Sequence, residues 1–219
     1  EINKIMKKNS LKKEIKIKKT FDEKTGLLGP KTIYGLTKLS SEMFIEEFAY
    51  AFNIKYIINR CGVLSGPLQF GKQDQGFVSL WVWKHFIKQK LKYIGFGGSG
   101  NQIRDVLHID DFCDLIRIQI KNFSKIHNKL FNVGGSNYSF TSLKELTKIC
   151  EKITGNKLVL QKEKKTSIYD IPYFKMNNTK VNRIYNWKPK KDIHQIVNDI
   201  FKWLKKDKQL LLKYFKKLN

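Results

Sequence analysis

Apolar residues recur at three- and four-residue spacing through Leu39, Met43, Phe44, Phe48 and Ala51, a few positions after Pro30. That period puts them on one face of a helix, and a proline suits a helix start. A helix is therefore predicted from Pro30 to near Phe52 and Asn53. The run Lys55-Tyr56-Ile57-Ile58-Asn59 is short and apolar at its centre, the pattern of a strand buried on both faces. A Gly/Pro loop over 62–71 precedes a helix over 76–89 that carries Phe77, Leu80, Trp81, Trp83 and Phe86. Strands are predicted over 91–96 and 103–108, on either side of a glycine-rich turn. Asp110 or Asp111 is expected to cap a helix reaching about Ile120. A short strand over 129–133 closes at Gly134-Gly135. Ser142 and Glu145 form a capping box for a helix to about Ile153. Residues 158–161 read as a strand, and 193–204 as a final amphipathic helix. The chain has no internal repeat, and residues 1–19 form a lysine-dense segment read as a loop or a basic tail. Short strands alternating with helices predict an α/β protein with some parallel sheet.

Composition narrows the class without naming a function. A hydrophobic share of 41% with 13% aromatics is that of a globular protein. No apolar run approaches the ~18–20 residues of a membrane span, and the lysine-rich start lacks a secretory pattern. Cys61, Cys113 and Cys150 are odd in number and widely spaced, which suits a reducing, cytoplasmic setting better than a disulfide framework or a zinc site. The net charge is +24, yet only four of the 43 basic residues are arginines: Arg60, Arg104, Arg117 and Arg183. Abundant lysine, asparagine and isoleucine are what an AT-rich genome produces. The lysines are also spread along the chain instead of forming a stripe, and arginine is the better phosphate and base reader. No nucleic-acid partner is expected.

Tyr34-Gly35-Leu36-Thr37-Lys38 sets a tyrosine and a lysine four residues apart, on one helix face. A phenol with a pKa of about 10 is a poor base at neutral pH, and an adjacent ammonium stabilises its phenolate. Such a pair can take a proton from a sugar hydroxyl while hydride leaves its carbon. Alone the spacing is common in lysine-rich helices, where it is only a surface pair. Its context is more specific: Pro30 before it, a strand after it, then Arg60 and Gly66-Pro67.

From Phe21 to Leu204 the sequence resembles the extended short-chain dehydrogenase/reductase family of NAD-dependent epimerases and dehydratases. The resemblance rests on Gly29-Pro30-Lys31-Thr32-Ile33-Tyr34-Gly35-Leu36-Thr37-Lys38, on Asn59-Arg60-Cys61-Gly62-Val63, on Gly95 through Asp111, on Phe131-Asn132-Val133-Gly134-Gly135 and on Trp187-Lys188-Pro189. The stretch from Asn59 through Gly76 is most similar to CDP-paratose 2-epimerase-type members. The resemblance implies NAD as cofactor and a nucleotide-sugar substrate. It makes Tyr34 the base, Lys38 its partner and a ribose ligand, and sets Arg60, Cys61 and Val63 beside the nicotinamide. Arg104 would hold the diphosphate, and Gln69 and Gln75 would touch the sugar or its loop. The family's Gly-rich cofactor turn and acidic ribose ligand have no counterpart here. Its Ser or Thr before the tyrosine would have to come from residues 1–20, with Ser10 and Thr20 as candidates. The chain, starting at Glu1, is thus expected to be the C-terminal two-thirds of an enzyme.

Gly95-Phe96-Gly97-Gly98-Ser99-Gly100 matches G-x-G-x-x-G, but Ile103 to His108 alternates like a strand where a dinucleotide site needs a helix. A hairpin turn is the better reading. Asp110, Asp111 and His108 lack a third convincing metal ligand, so no metal is expected. His85, His127 and His194 read as surface residues. Trp81, Trp83 and Trp203 suit core packing or an oligomer surface. The expected architecture is the last part of a Rossmann-like parallel sheet with an interleaved, smaller mixed α/β substrate domain. Residues 1–66 would be the remnant of the NAD-binding domain. Residues 67–219 would mainly bind the sugar nucleotide, with segments around 103–133 returning to the first part. A homodimer, or a complementing N-terminal chain, is the expected partner. The rival activities are a 4-epimerase, a 4,6-dehydratase or a reductase of the same family; an inactive remnant or a structural subunit is the rival of another class.

Overall fold

The computed structural model describes residues 20–27, 29–72 and 75–216. The basic segment over 1–19, with Ser10, lies outside them, as do Gln73 and Asp74. The predicted first helix is α1, Ile33–Phe52, and Asn53 ends it in the left-handed conformation. Thr32 caps it by accepting from the Gly35 N–H at 3.0 Å. The next strand lies two residues later than predicted, as β1, Ile57–Cys61. Only Ile58 in it is buried, so the strand is not covered on both faces.

The predicted loop after β1 contains a further strand. Gly62 interrupts an extended segment that resumes as β2, Val63–Ser65. β1 pairs in parallel with β5, Lys129–Val133, whereas β2 pairs in parallel with β4, Ile103–His108. One extended segment thus leaves one sheet and enters another within a single residue. β4 also carries β6, Phe140–Ser142, antiparallel, and β8, Tyr173–Phe174, parallel.

The hairpin expected around the glycine-rich turn is not formed. β3, Lys92–Ile94, pairs instead with β7, Gln161–Glu163, the strand expected over 158–161. The glycines carry a short 3-10 turn at Phe96–Gly98 between strands of two sheets. Strand partners come from tertiary packing, which local alternation does not encode.

The remaining helices are α2, Phe77–Phe86, α3, Ile109–Asn122, α4, Leu143–Thr154, α5, Thr179–Tyr185, α6, Ile193–Lys206, and α7, Lys208–Lys216. The helix predicted to be last is therefore followed by another. α3 is capped by His108, whose Nδ1 accepts from the Asp110 N–H at 3.0 Å, and not by an aspartate. Asp111 is buried and accepts from the N–H groups of Lys190 and Lys191, each at 3.0 Å. His85, expected on the surface, is fully buried in α2 with Nδ1 against the Trp81 carbonyl at 2.8 Å. His127 is half-buried, and His194 is exposed.

β4 stands between two cores because successive strand side chains point to opposite faces. Val106 joins the core of α2, α4 and α6, with Val78, Trp81, Val82, Leu146, Ile196, Val197 and Ile200. Leu107 joins the other core, with Leu115, Phe131, Val133, Val181 and Trp187. Trp81 and Trp83 are both core residues, as expected.

Asp105, fully buried on β4, sits where the two sheets meet. Its Oδ2 accepts from the N–H groups of Ser136 and Met176, each at 3.0 Å. A Cβ on Gly62 would come within 2.7 Å of Oδ1, and one on Gly134 within 2.1 Å of Oδ2, so the carboxylate occupies the space of both side chains. Oδ1 has no partner among the described residues. Burial outweighs the two N–H donors and pushes the Asp105 carboxyl up to about 6, from 3.8.

This position predicts a pH dependence. Between pH 4 and 6 the unfolded chain loses this proton while the folded chain keeps it, so stability falls as pH rises through that window. At about 1.4 kcal/mol per pH unit, the cost above pH 6 is about 3 kcal/mol. Asp105→Asn keeps an acceptor for both N–H groups and removes the charge. Urea unfolding of both chains from pH 4 to 7 should show the variant gaining about 3 kcal/mol on the wild type across the window. Parallel curves would mean that Asp105 keeps an ordinary pKa.

Candidate functional site

The connectivity fixes where Tyr34 lies. α1 runs into β1 and Glu42 in its middle meets Arg60, so its N-terminal end points toward the C-terminal end of that strand. Ligands bind at such strand ends in open α/β sheets, above all where strand pairing changes direction or partner. The first turn of α1 holds no acidic residue to offset the positive end of the helix dipole. Tyr34 is 63% exposed there, and the Lys38 ammonium lies 5.4 Å from the centre of its ring. The structure thus brings this pair together at an open position.

Arg60 ties the helix to the strand. Its Nε reaches both Glu42 carboxylate oxygens, at 3.0 and 2.9 Å, and Nη2 reaches Oε2 at 2.6 Å. Its guanidinium therefore positions α1 on β1, and the half-buried Cys61 and Val63 are left at the strand end. The Cys61 thiol donates to the Asn59 carbonyl at 3.6 Å, and burial raises it to about 11. It is a neutral thiol at physiological pH, unsuited to act as a nucleophile.

Arg104 lies in a separate cavity of about 440 Å³. Trp81 and Lys84 of α2, Lys92 and Ile94 of β3, Gln102, Thr141 and Asp170 are among its walls. Trp81 is fixed by donating from Nε1 to Thr147 Oγ1 at 3.0 Å, and its ring stacks on Tyr93 at 6.4 Å. The Arg104 guanidinium donates to Asp170 and to the carbonyls of Ile103 and Ile171, the two carbonyls each at 2.7 Å. Burial lowers its pKa, and Asp170 opposes that shift. The walls carry more positive than negative charge, a setting for an anionic ligand with an apolar or aromatic end.

Tyr34 and Lys38 do not line this cavity, and neither do Gln69 and Gln75. The Gln69 amide is spent inside the fold: it accepts from Ser65 and Ser79 at 3.0 and 3.1 Å and donates to the Leu64 carbonyl at 3.0 Å. Gln75 is exposed and closes a backbone bridge with Lys72. Trp81, Lys84, Lys92 and Asp170 are not legible in the sequence as site residues. Asp170 reaches Arg104 from 66 positions away, and nothing local in the sequence signals that contact.

Buried His108 faces Asp199 from Nε2 at 3.5 Å, and Lys191 bridges Asp199 and Asp110 at 2.8 and 2.9 Å. Burial and then Lys191 lower the histidine's pKa. Among the described residues no cluster of histidine, cysteine and carboxylate side chains has the makings of a metal site. No described helix is long and apolar enough to cross a membrane.

Comparison with known proteins gives the family and the fold. Residues 12–134, more than half the chain, match the model of the NAD dependent epimerase/dehydratase family. CDP-paratose 2-epimerase of Salmonella typhi is 29% identical over 178 residues, which cover 78% of this chain and 51% of the relative. The UDP-glucose 4-epimerase of Thermotoga maritima, solved with UDP-glucose, is 25% identical with a TM-score of 0.68, over 81% of this chain and 55% of that one. An epimerase of Methanothermobacter thermautotrophicus, 17% identical, shares the fold with a TM-score of 0.77, over 90% and 56% of the two chains. The chain spans about half the length of the curated relatives it matches. With a family model matched over more than half of its length, the chain belongs to the NAD-dependent epimerase/dehydratase family.

Proposed function

We propose that this chain carries the proton-transfer and nucleotide-sugar-binding parts of an NAD-dependent epimerase that inverts C2 of a CDP-hexose. The observation that carries the reading is the exposed Tyr34 ring with the Lys38 ammonium 5.4 Å from its centre, in the first turns of α1. The CDP-sugar preference rests on the likeness to the Salmonella typhi enzyme. The Thermotoga maritima neighbour favours a second reading, inversion at C4 of a UDP-sugar.

NAD, when bound, supplies the hydride acceptor and then the hydride donor. The phenol of Tyr34 and the ammonium of Lys38, together on α1, fit its nicotinamide ribose, and Cys61 and Val63 would lie beside the nicotinamide. No Gly-rich turn leading into a helix occurs among the described residues, so its pyrophosphate would be held by polypeptide outside them. Tyr34 takes the proton of the sugar hydroxyl as phenolate and gives it back after inversion. Lys38 stabilises the phenolate by proximity and can donate to the ribose hydroxyls. Arg104 would bind the diphosphate in exchange for Asp170, as its planar fork suits either anion. In this reading residues 1–66 serve the cofactor part, and residues 67–219 mainly serve the substrate part, with segments around 103–133 returning to the first.

In the complete enzyme, Tyr34→Phe should lower turnover of a CDP-hexose about 10³-fold, the usual size of a lost acid–base group, with NAD affinity unchanged. Retained turnover would remove Tyr34 from the mechanism. Substrate preference is read by comparing CDP-, UDP- and dTDP-hexoses in the same assay.

The cavity can be tested on this chain alone. Calorimetric binding of CDP should weaken about 10–100-fold on Arg104→Ala, the value of a lost charged hydrogen bond. The melting temperature, measured in parallel, separates this from a loss of folding. Unchanged CDP affinity would place the diphosphate elsewhere.

A further inference from the structure

Lysine is treated differently at the two ends of α6. Ahead of the helix, Lys190 meets Asp114 at 3.2 Å, and Lys191 meets Asp110 and Asp199 at 2.9 and 2.8 Å. Past its middle the pattern reverses. Six of the 15 residues 202–216 are lysines and only Asp207 is acidic. Lys202, Lys205, Lys206, Lys208 and Lys213 are all exposed, and none has an ion pair among the described residues. A codon bias acts on the whole chain and does not by itself account for so local an excess.

Part of this charge is unfavourable where it stands. Lys202 and Lys206 are four residues apart on one helix face, where like charges repel. Lys208 opens α7, beside the positive end of that helix's dipole. Only Lys205 and Lys206 are favoured by their place in the last turn of α6. The lysines nevertheless stand on a fixed platform. Ile200, Leu204 and Leu211 anchor both helices in one core, so their outer sides face away from it. Lys205 Nζ lies 5.7 Å from the centre of the Phe201 ring, and Lys208 Nζ lies 5.1 Å from that of Phe86. The lysine stems thus cover apolar surface while the charges stay in water. Apolar tips stand among them: Leu210 on α7 is 69% exposed. On the flank of α6, Phe70 meets Trp203 edge-on at 5.8 Å, and Leu68 of the same loop is 71% exposed.

We infer that the outer sides of α6 and α7 form a docking surface for an anionic lipid bilayer. Five unpaired ammonium groups on a fixed frame call for a negatively charged partner, and clustered lysines on a helix suit acidic headgroups. The apolar tips select a bilayer over nucleic acid: Leu210 and Leu68 can enter the headgroup layer, whereas a phosphodiester backbone offers them no contact. Residues 202–216 contain no arginine, the residue whose planar fork serves nucleic-acid contacts. The contact is peripheral, since both helices keep their apolar sides in the core and no described helix is long and apolar enough to cross a membrane. Residues 1–19 carry eight lysines and two glutamates, so their charge adds to this positive field. The inference goes beyond the sugar-nucleotide reading and does not depend on it.

Co-sedimentation of the 219-residue chain with vesicles tests it. Phosphatidylcholine vesicles with about 30% phosphatidylserine should retain the chain, and phosphatidylcholine alone should not. Lys202→Gln, Lys206→Gln and Lys213→Gln together should weaken retention on the order of 100-fold, at about fivefold per lysine. Lys121, Lys125 and Lys129 are exposed around the other core. Changing those three to glutamine removes the same charge and should alter retention by less than about threefold. Leu210→Gln should cost about fivefold on the anionic vesicles. Three results overturn the inference. No retention on anionic vesicles removes the surface. Equal losses in the two triple variants assign retention to the diffuse charge of the chain. Tighter binding to duplex DNA at the same salt concentration, lost in the first triple variant, gives the face to nucleic acid.

Discussion

The buried carboxylate of Asp105 holds the two sheets in register. It draws in the N–H groups of Ser136 and Met176 and fills the space beside Gly62 and Gly134. Each of those glycines follows a strand of the β1–β5 pair, and Asp105 belongs to β4 of the other sheet. A side chain at either glycine would push the sheets apart. The charge is costly to bury, since one oxygen lacks a partner among the described residues and burial raises its pKa. What it secures is geometry: the extended segment changes partners at Gly62.

Both parts of the candidate site depend on that joint. Tyr34 and Lys38 are placed by α1, which Arg60 and Glu42 fasten to β1. Arg104 is placed one residue before Asp105 on β4, with its guanidinium turned toward Asp170. Among the described residues no strand pairs with the second edge of β1, and no residue of α1 is buried.

Much of this frame is legible in the order of the residues. The helical period through Phe48 and Ala51 locates α1, the apolar run after it locates β1 to within two residues, and Gly134-Gly135 closes β5 as expected. Tyr34 and Lys38 can be paired because four residues make about one helical turn. The departures share a cause. Alternation on either side of the glycine-rich turn marks two strands correctly, but β3 pairs with Gln161–Glu163 and β4 with Val63–Ser65, not with each other. His85 lies in the core and not on the surface because a histidine among aromatics reads the same whether its Nδ1 meets water or the Trp81 carbonyl.

The sequence by itself determined α1 to α4, α6, β1, β3, β4 and β5, though not β2, β6, β8, α5 or α7, and it determined the α/β class and the Tyr34–Lys38 pair, because these rest on periods of two and 3.6 residues and on local capping. Only the tertiary structure decided that Asp170 meets Arg104, that Gln69 is consumed within the fold and that Arg60 serves Glu42. The same holds for the single residue at which one extended segment crosses between sheets. Such contacts join positions as much as 66 residues apart, and they arise when both cores close around β4. No local pattern records them, since their energy comes from burial that exists only once the chain is folded.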